Sequence, residues 1–189
     1  TPLVTAADLE ELTRAFDPAR DKHVSYRASH LIGMLARDEC PGAQAFLANG
    51  LDSLSPWLRA CAAYGLGISG KHQVVECLSR RLALEVDTYV RGSIVEAFRR
   101  LRSTDAVPAL LSLYHTESDV QLRSAASFAL GQIRDTRALP VLLAEVSGAG
   151  ADPPRRLAAM TALGDLRDPA ALPTLASLYE NPDFIFRNS

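Results

Sequence analysis

An arginine returns at a nearly constant interval along this chain of 189 residues. The positions are Arg27, Arg59, Arg91, Arg123, Arg156 and Arg187, and the intervals between them are 32, 32, 32, 33 and 31 residues. Self-similarity at a period of roughly 20 to 50 residues is the signature of a repeat protein. The period constrains the fold far more than the function, because a repeat array presents a surface whose ligand the repeat itself does not encode.

The residues around each arginine predict a pair of helices. Alanine, serine and leucine follow it at helical spacing, as in LRSAASFALG at 122–131 and RRLAAMTALG at 155–164. Four positions before the arginine stands a candidate helix N-cap in each unit, namely His23, Ser55, Asp87, Asp119, Asp152 and Asp183. A second apolar segment follows, and Pro108, Pro140 and Pro173 fall in its first turn, where a missing N–H costs little.

The pattern predicts an all-α fold, since no sustained alternation and no Asn-Gly or Asp-Gly turn indicates a strand. Helices of about a dozen residues need neighbours to bury their apolar faces. We therefore expect about five stacked helix-turn-helix repeats of about 32 residues in one domain. The predicted boundaries are a single domain over 1–189, with a capping helix at 1–22, repeats at 23–54, 55–86, 87–118, 119–151 and 152–182, and a truncated sixth repeat starting at 183–189.

Composition narrows the function classes. No stretch approaches the roughly 18 apolar residues that span a bilayer, so no membrane insertion is expected. The formal net charge of −2, without aromatic residues interleaved among the basic ones, makes nucleic acid an unlikely partner. Three cysteines without CxxC spacing favour a reducing compartment, and hence a cytoplasmic protein. Because the sequence starts at Thr1 and stops inside a repeat, we expect it to be part of a longer chain.

The segments at 119–146 and 151–179 resemble the HEAT-like repeats of the bacterial PBS-lyase type. The resemblance implies antiparallel helix pairs stacked into a right-handed α-solenoid, or superhelix. It also implies that the recurrent arginines form polar ladders with turn aspartates, here Asp135 and Asp168, with Asp105 close by. In phycobilin lyases of this class, such units help to handle a tetrapyrrole and the protein that accepts it.

Motifs of common enzymes are absent from the sequence. There is no G-x-S-x-G, no P-loop, no H-E-x-x-H and no G-x-G-x-x-G, and the four histidines are scattered over separate units without His-Glu pairs. We therefore expect no enzymatic activity, no cofactor and no metal. The expected function is a protein-protein interaction scaffold or adaptor. A lyase-like or chaperone module for a bilin-bearing protein is one alternative, and binding of a nucleic acid or another acidic ligand is a second.

Two groups of residues are candidate partner sites. Basic residues cluster at Arg80 and Arg81 on the second helix of one unit and at Arg99 and Arg100 of the next, which replace the Leu-Gly pattern there. Stacking of adjacent units could merge them into one patch for an acidic partner. Late on the second helices lie Tyr114, Glu145 and Tyr179. Tyrosine supplies a large contact area at low entropic cost, so this group predicts a contact surface for a protein or peptide.

Overall fold

The computed structural model describes residues 6–17, 19, 21–148 and 153–180. Its helices are Ala6–Ala15 (α1), Lys22–Arg37 (α2), Ala43–Gly50 (α3), Pro56–Ser69 (α4), Val75–Leu84 (α5), Thr88–Leu101 (α6), Val107–Thr116 (α7), Val120–Ile133 (α8), Leu139–Ser147 (α9), Pro153–Leu166 (α10) and Leu172–Tyr179 (α11). None of the described residues forms a strand, which confirms the predicted all-α fold of helix pairs. The first helices of the pairs are α2, α4, α6, α8 and α10, and the second helices are α3, α5, α7, α9 and α11.

The chain divides into two compact units, Thr1–Ala106 and Val107–Ser189. In the first unit α4 packs against both α2 and α6, and in the second unit α10 packs against both α8 and α9. The division falls inside the predicted repeat at 87–118, and the single domain over 1–189 stays a prediction. The predicted caps Asp152 and Asp183, the last arginine Arg187 and the segment 183–189 lie outside the described residues.

The helix starts follow from short polar side chains. The carboxylates of Asp87 and Asp119 accept hydrogen bonds from the backbone N–H groups three residues later, as predicted for N-caps. The first repeat differs, because α2 begins at Lys22 and Asp21 caps it by accepting from the N–H of His23. His23 therefore lies inside the helix rather than at its N-cap. None of the helices in the described part combines the length and hydropathy that a bilayer-spanning segment requires.

Small residues let the first helices approach one another closely. A Cβ atom on Gly33 of α2 would lie 2.4 Å from the carbonyl oxygen of Gly65 in α4, and a Cβ on Gly65 would lie 2.7 Å from the carbonyl oxygen of Ser29. The same first helices contribute the fully buried side chains of Ile32 (α2), Leu66 (α4) and Phe98 (α6) to the core of the first unit. The helix pairs thus share one continuous layer within this unit, as stacked repeats do.

The recurrent Arg59 is fixed by a buried carboxylate that the sequence did not point to. Its Nε and Nη2 atoms donate to the two oxygens of Glu85 at 2.8 and 3.0 Å, and its Nη1 donates to the carbonyl of Ser53 at 2.9 Å. The Glu85 carboxylate also accepts from the backbone N–H of Asp87 at 3.0 Å, just before α6. Arg59 therefore holds the loops that precede α4 and α6.

The other described arginines of the series vary in their contacts. Arg123 donates to the carbonyl of Glu117, and Arg156 donates to the carbonyl of Gly148 at 2.7 Å, whereas Arg27 is exposed. Arg59 does not pair with a turn aspartate, as the resemblance implies, but with Glu85. The Asp135 carboxylate instead accepts hydrogen bonds from the backbone N–H and the guanidinium of Arg137. The first of these bonds caps the 3-10 turn that leads into α9.

Candidate functional site

The predicted arginines do not form one patch. Arg80 is exposed on α5, while Arg81 donates to the buried Glu85 at 3.0 Å, close to the start of α6. Arg99 and Arg100 lie in the last turn of α6 instead, and both pair with Glu96 of the same helix. A helix of 14 residues is about 20 Å long, so the two groups lie at opposite ends of α6.

Two of the three residues predicted on the second helices come together in the second unit. The hydroxyl of Tyr114 on α7 donates to Oε2 of Glu145 on α9, and both side chains are largely buried. Nη2 of Arg155, near the start of α10, donates to the same oxygen at 2.8 Å. Tyr179 is not part of this cluster: it is 84% exposed at the end of α11.

This cluster forms one wall of a cavity of about 540 Å³ in the second unit. The polar lining consists of Tyr114, His115, Arg123, Glu145 and Arg155, and the apolar lining includes Pro140, Val141 and Ala144. Small-molecule sites typically measure roughly 300 to 1,000 Å³ and combine apolar walls with a few convergent polar groups. The cavity has both properties.

Three buried polar atoms of the cavity lining have no hydrogen-bond partner among the described residues. They are Oε1 of Glu145 and the Nε atoms of Arg123 and Arg155. The Glu145 side chain is only 8% exposed, so water does not freely solvate the orphaned oxygen. An unsatisfied buried polar group costs about 1 to 3 kcal/mol. A ligand with a donor for the carboxylate and an acceptor for the guanidinium groups would remove that cost.

The pKa values of Tyr114 and Arg155, the two neighbours of Glu145, are both raised. Burial and the hydrogen bond to Glu145 together raise the pKa of Tyr114 to about 12. Burial alone would lower the pKa of Arg155, but its contacts with Tyr114 and Glu145 raise it overall. At neutral pH the tyrosine is a neutral donor and the arginine a cation. Both donate to Oε2, so Oε1 keeps an unused acceptor site.

Sequence reasoning found Tyr114 and Glu145 but missed the two arginines beside them. The repeat period places Arg123 and Arg156 in the structural series, and it does not mark Arg155. The doubled arginine at 155–156 is the available signal: one member donates to a loop carbonyl, while the other faces the cavity. Within the described part of the chain, no three His, Cys, Asp or Glu side chains cluster as a metal site would require.

Comparison with known proteins identifies repeat families in this chain. A model described as HEAT repeats matches residues 85–159, and one described as PBS lyase HEAT-like repeat matches residues 155–181. No curated protein sequence is similar enough to count as a match.

Two solved structures are similar to this chain. The complex of CpcE and CpcF of phycocyanin lyase from Nostoc sp. PCC7120 gives a TM-score of 0.66 at 22% identity, over 97% of this chain and 73% of that chain. Human deoxyhypusine hydroxylase in complex with glycerol gives a TM-score of 0.46 at 20% identity, over 98% of this chain and 82% of that one. The first likeness shows the shared fold, and the second supports no functional inference.

The expectation that this protein has no enzymatic activity is wrong. The matched repeat family carries the name of a lyase, and the similar complex is a phycocyanin lyase. The expectation rests on the absence of common catalytic motifs and of His-Glu pairs, and helical repeats can present reactive side chains without any such motif.

The matches run from residue 85 to residue 181 across helix pairs of both units. They agree with the arginine period, with the proline that opens the second helices and with the all-α architecture. The chain belongs to the HEAT-like repeat proteins.

Proposed function

We propose that this chain is a lyase-like module that holds a linear tetrapyrrole and delivers it to a chromophore-bearing protein. The observation that carries the proposal is the cavity with the orphaned Glu145 oxygen. The name of the matched repeat family and the fold shared with a phycocyanin lyase complex support the same class of substrate. The scaffold role expected from the sequence stays a prediction.

The residues of the cavity suit such a ligand. A linear tetrapyrrole carries ring N–H groups, carboxylate side chains and a long apolar edge. The free oxygen of Glu145 can accept from ring N–H groups, and Arg123 and Arg155 can pair with carboxylates through forked, charge-assisted hydrogen bonds. Val141 and Pro140 offer apolar contact to the rings. Glu145 thereby orients the ligand, while its bonds to Tyr114 and Arg155 keep its own carboxylate fixed.

Titration with biliverdin tests this proposal. We expect the protein to change the visible absorbance of biliverdin and to induce circular dichroism in its bands, because a fixed cavity imposes one conformation on a flexible ligand. Glu145→Gln keeps the shape of the side chain but removes the charge, and should weaken binding about tenfold, the effect of roughly 1.4 kcal/mol. Arg155→Leu should weaken it similarly, since a carboxylate then loses its partner.

Tyr179→Phe is the matched control, since Tyr179 belongs to the same type of helix but lies outside the cavity. The Tyr179→Phe variant should bind biliverdin with the same affinity as the unmodified protein. Thermal unfolding of each variant shows whether a loss of binding reflects a loss of structure. Unchanged spectra of biliverdin with the intact protein, or equal binding by the Glu145 and Tyr179 variants, would defeat the proposal.

A further inference from the structure

The first helices of the first unit carry charge of one sign. Helices α2, α4 and α6 contain three, one and three basic residues and a single acidic one, Glu96, although the whole chain has a formal net charge of −2. Arg59 is buried against Glu85, and the other six basic side chains are exposed or half-buried. The solvent side of these three helices is therefore basic in a chain that is slightly acidic overall.

Two rows of stacked aromatic rings, each with a cation at one end, cross the same three helices. In one row Lys22 lies 5.6 Å from the ring of Trp57, which stacks on Tyr89 at 5.8 Å. In a second row Tyr26 stacks on Tyr64 at 4.6 Å, and the guanidinium of Arg100 lies 5.2 Å from the Tyr64 ring. We call these six residues the basic–aromatic face. Its composition corrects the expectation that aromatic residues do not accompany the basic ones.

The rings are held in place before any partner arrives. Tyr26 and Tyr89 are 40% and 59% exposed, yet each stacks on a neighbour from the next helix. Side chains that are already ordered lose less entropy on binding. Trp, Tyr and Arg are also the residues that dominate binding energy at protein interfaces.

No contact with the described residues requires the glycine at position 92 of α6. Gly92 lies in the middle of α6, where glycine costs about 1 kcal/mol relative to alanine. A Cβ atom at this position would meet nothing within 4 Å in the described structure. In contrast, Gly65 and Gly67 are required by contacts under 3 Å with the neighbouring helices. The missing side chain at this half-buried position leaves room for another molecule to approach the backbone of α6 closely.

We propose that the basic–aromatic face docks an acidic segment of a partner protein. Carboxylates of the segment pair with Lys22 and Arg100, and its apolar side chains contact the tyrosines, with the backbone passing over Gly92. A protein fits better than a nucleic acid, whose binding is dominated by many phosphate contacts, because this face carries more rings than cations. The proposal does not depend on the cavity of the second unit.

Glu96 limits how strongly this face attracts an acidic partner. Its carboxylate accepts from Arg99 at 2.6 Å and pairs with Arg100 at 2.8 Å. Both arginines thus carry a local counter-charge that an incoming carboxylate must compete with. Glu96→Gln should therefore strengthen binding several-fold, a gain that disruption of the fold could not produce.

The experiment measures fluorescence anisotropy of a short labelled peptide of alternating Glu-Leu pairs, added to the full chain. We expect the peptide to bind and its counterpart with Gln in place of Glu to bind at least about tenfold more weakly. Combined Lys22→Ala and Arg100→Ala should cost about tenfold or more, and Gly92→Leu should do the same by filling the gap. Arg80→Ala and Gly164→Leu are the matched controls, since Arg80 is exposed on a second helix and Gly164 also meets nothing within 4 Å.

The Gly92 variant separates binding from folding, because leucine is the better helix former and the variant should melt no lower than the original. Equal binding of the Glu and Gln peptides would overturn the proposal. So would wild-type affinity in both the Lys22/Arg100 and the Gly92 variants. Tighter binding of a labelled single-stranded DNA with the same dependence on Lys22 and Arg100 would assign the face to nucleic acid instead and would also overturn it.

Discussion

At the scale of single residues, the most consequential side chain is the buried Glu85. Burial on its own would raise the pKa of this carboxyl, but hydrogen bonds from Arg59, from the backbone of Asp87 and from Arg81 lower it to about 2. The resemblance to HEAT-like repeats implies a structural role for the recurrent arginines, and Arg59 has such a role with a glutamate as its partner. Its carboxylate partner lies 26 residues away, on the far side of α5, which no local pattern in the sequence reveals.

This contact makes stability depend on pH. The pKa of Glu85 in the folded chain lies below its ordinary value of 4.5, so the carboxylate stabilises the fold above that pH and loses its contribution as pH falls towards 2. We expect about 3 kcal/mol of unfolding free energy to disappear over this range, and Glu85→Gln to lose a similar amount at neutral pH. Urea unfolding at neutral pH and at about pH 2 measures both effects.

Glu39→Gln is the control for this prediction, because Glu39 pairs with Lys71 at the surface and is 83% exposed. Such exposed pairs contribute about 0 to 1 kcal/mol, so this variant should follow the pH profile of the original chain. A Glu85 variant whose stability still falls by several kcal/mol between the two pH values would assign the acid sensitivity to other carboxylates.

At the scale of helices, small residues decide how closely neighbours pack. In the second unit a Cβ on Gly131 of α8 would lie 2.5 Å from the carbonyl oxygen of Ala162 in α10. Gly131 and Gly164 occupy the same position in successive repeats of the sequence. The structure separates their roles, because Gly131 faces a neighbouring helix and Gly164 faces open space.

Alanine substitution should therefore have opposite effects at the two glycines. Gly131→Ala should destabilise the fold by about 2 kcal/mol, since the backbone of α10 cannot move aside without loss of packing. Gly164→Ala should stabilise it by up to about 1 kcal/mol through helix propensity. Thermal and chemical unfolding of the two variants provides the comparison, and a similar shift for both would contradict the assigned roles.

At the scale of the whole molecule, the chain forms two compact units with a boundary between Ala106 and Val107. Stability in repeat proteins is approximately a sum of terms for each repeat and for each contact with its neighbours. The buried Arg59–Glu85 pair belongs to the first unit, and the cavity of Glu145 belongs to the second. The buried pair and the cavity are thus built from different sets of contacts.

Hydrogen exchange on Glu85→Gln tests whether the units are energetically separate. We expect amide protection to fall in α4, α5 and α6, which the Glu85 contacts hold together, and to stay nearly unchanged in α9 and α10. Exchange of the unmodified chain under the same conditions is the reference. An equal loss of protection along the whole chain would favour the single cooperative domain expected from the sequence.

The sequence by itself determined the all-α fold, the helix pairs and the family, because the arginine period, the Asp caps and the Pro-opened second helices are local patterns. It also indicated Tyr114 and Glu145 as site residues. Only the tertiary structure decided that these two meet Arg155 around a cavity, that Arg81 and Arg100 lie apart, and that Trp57 stacks on Tyr89. The reason is physical: secondary structure follows from spacing along the chain, whereas a site follows from which side chains meet when helices distant in sequence pack together.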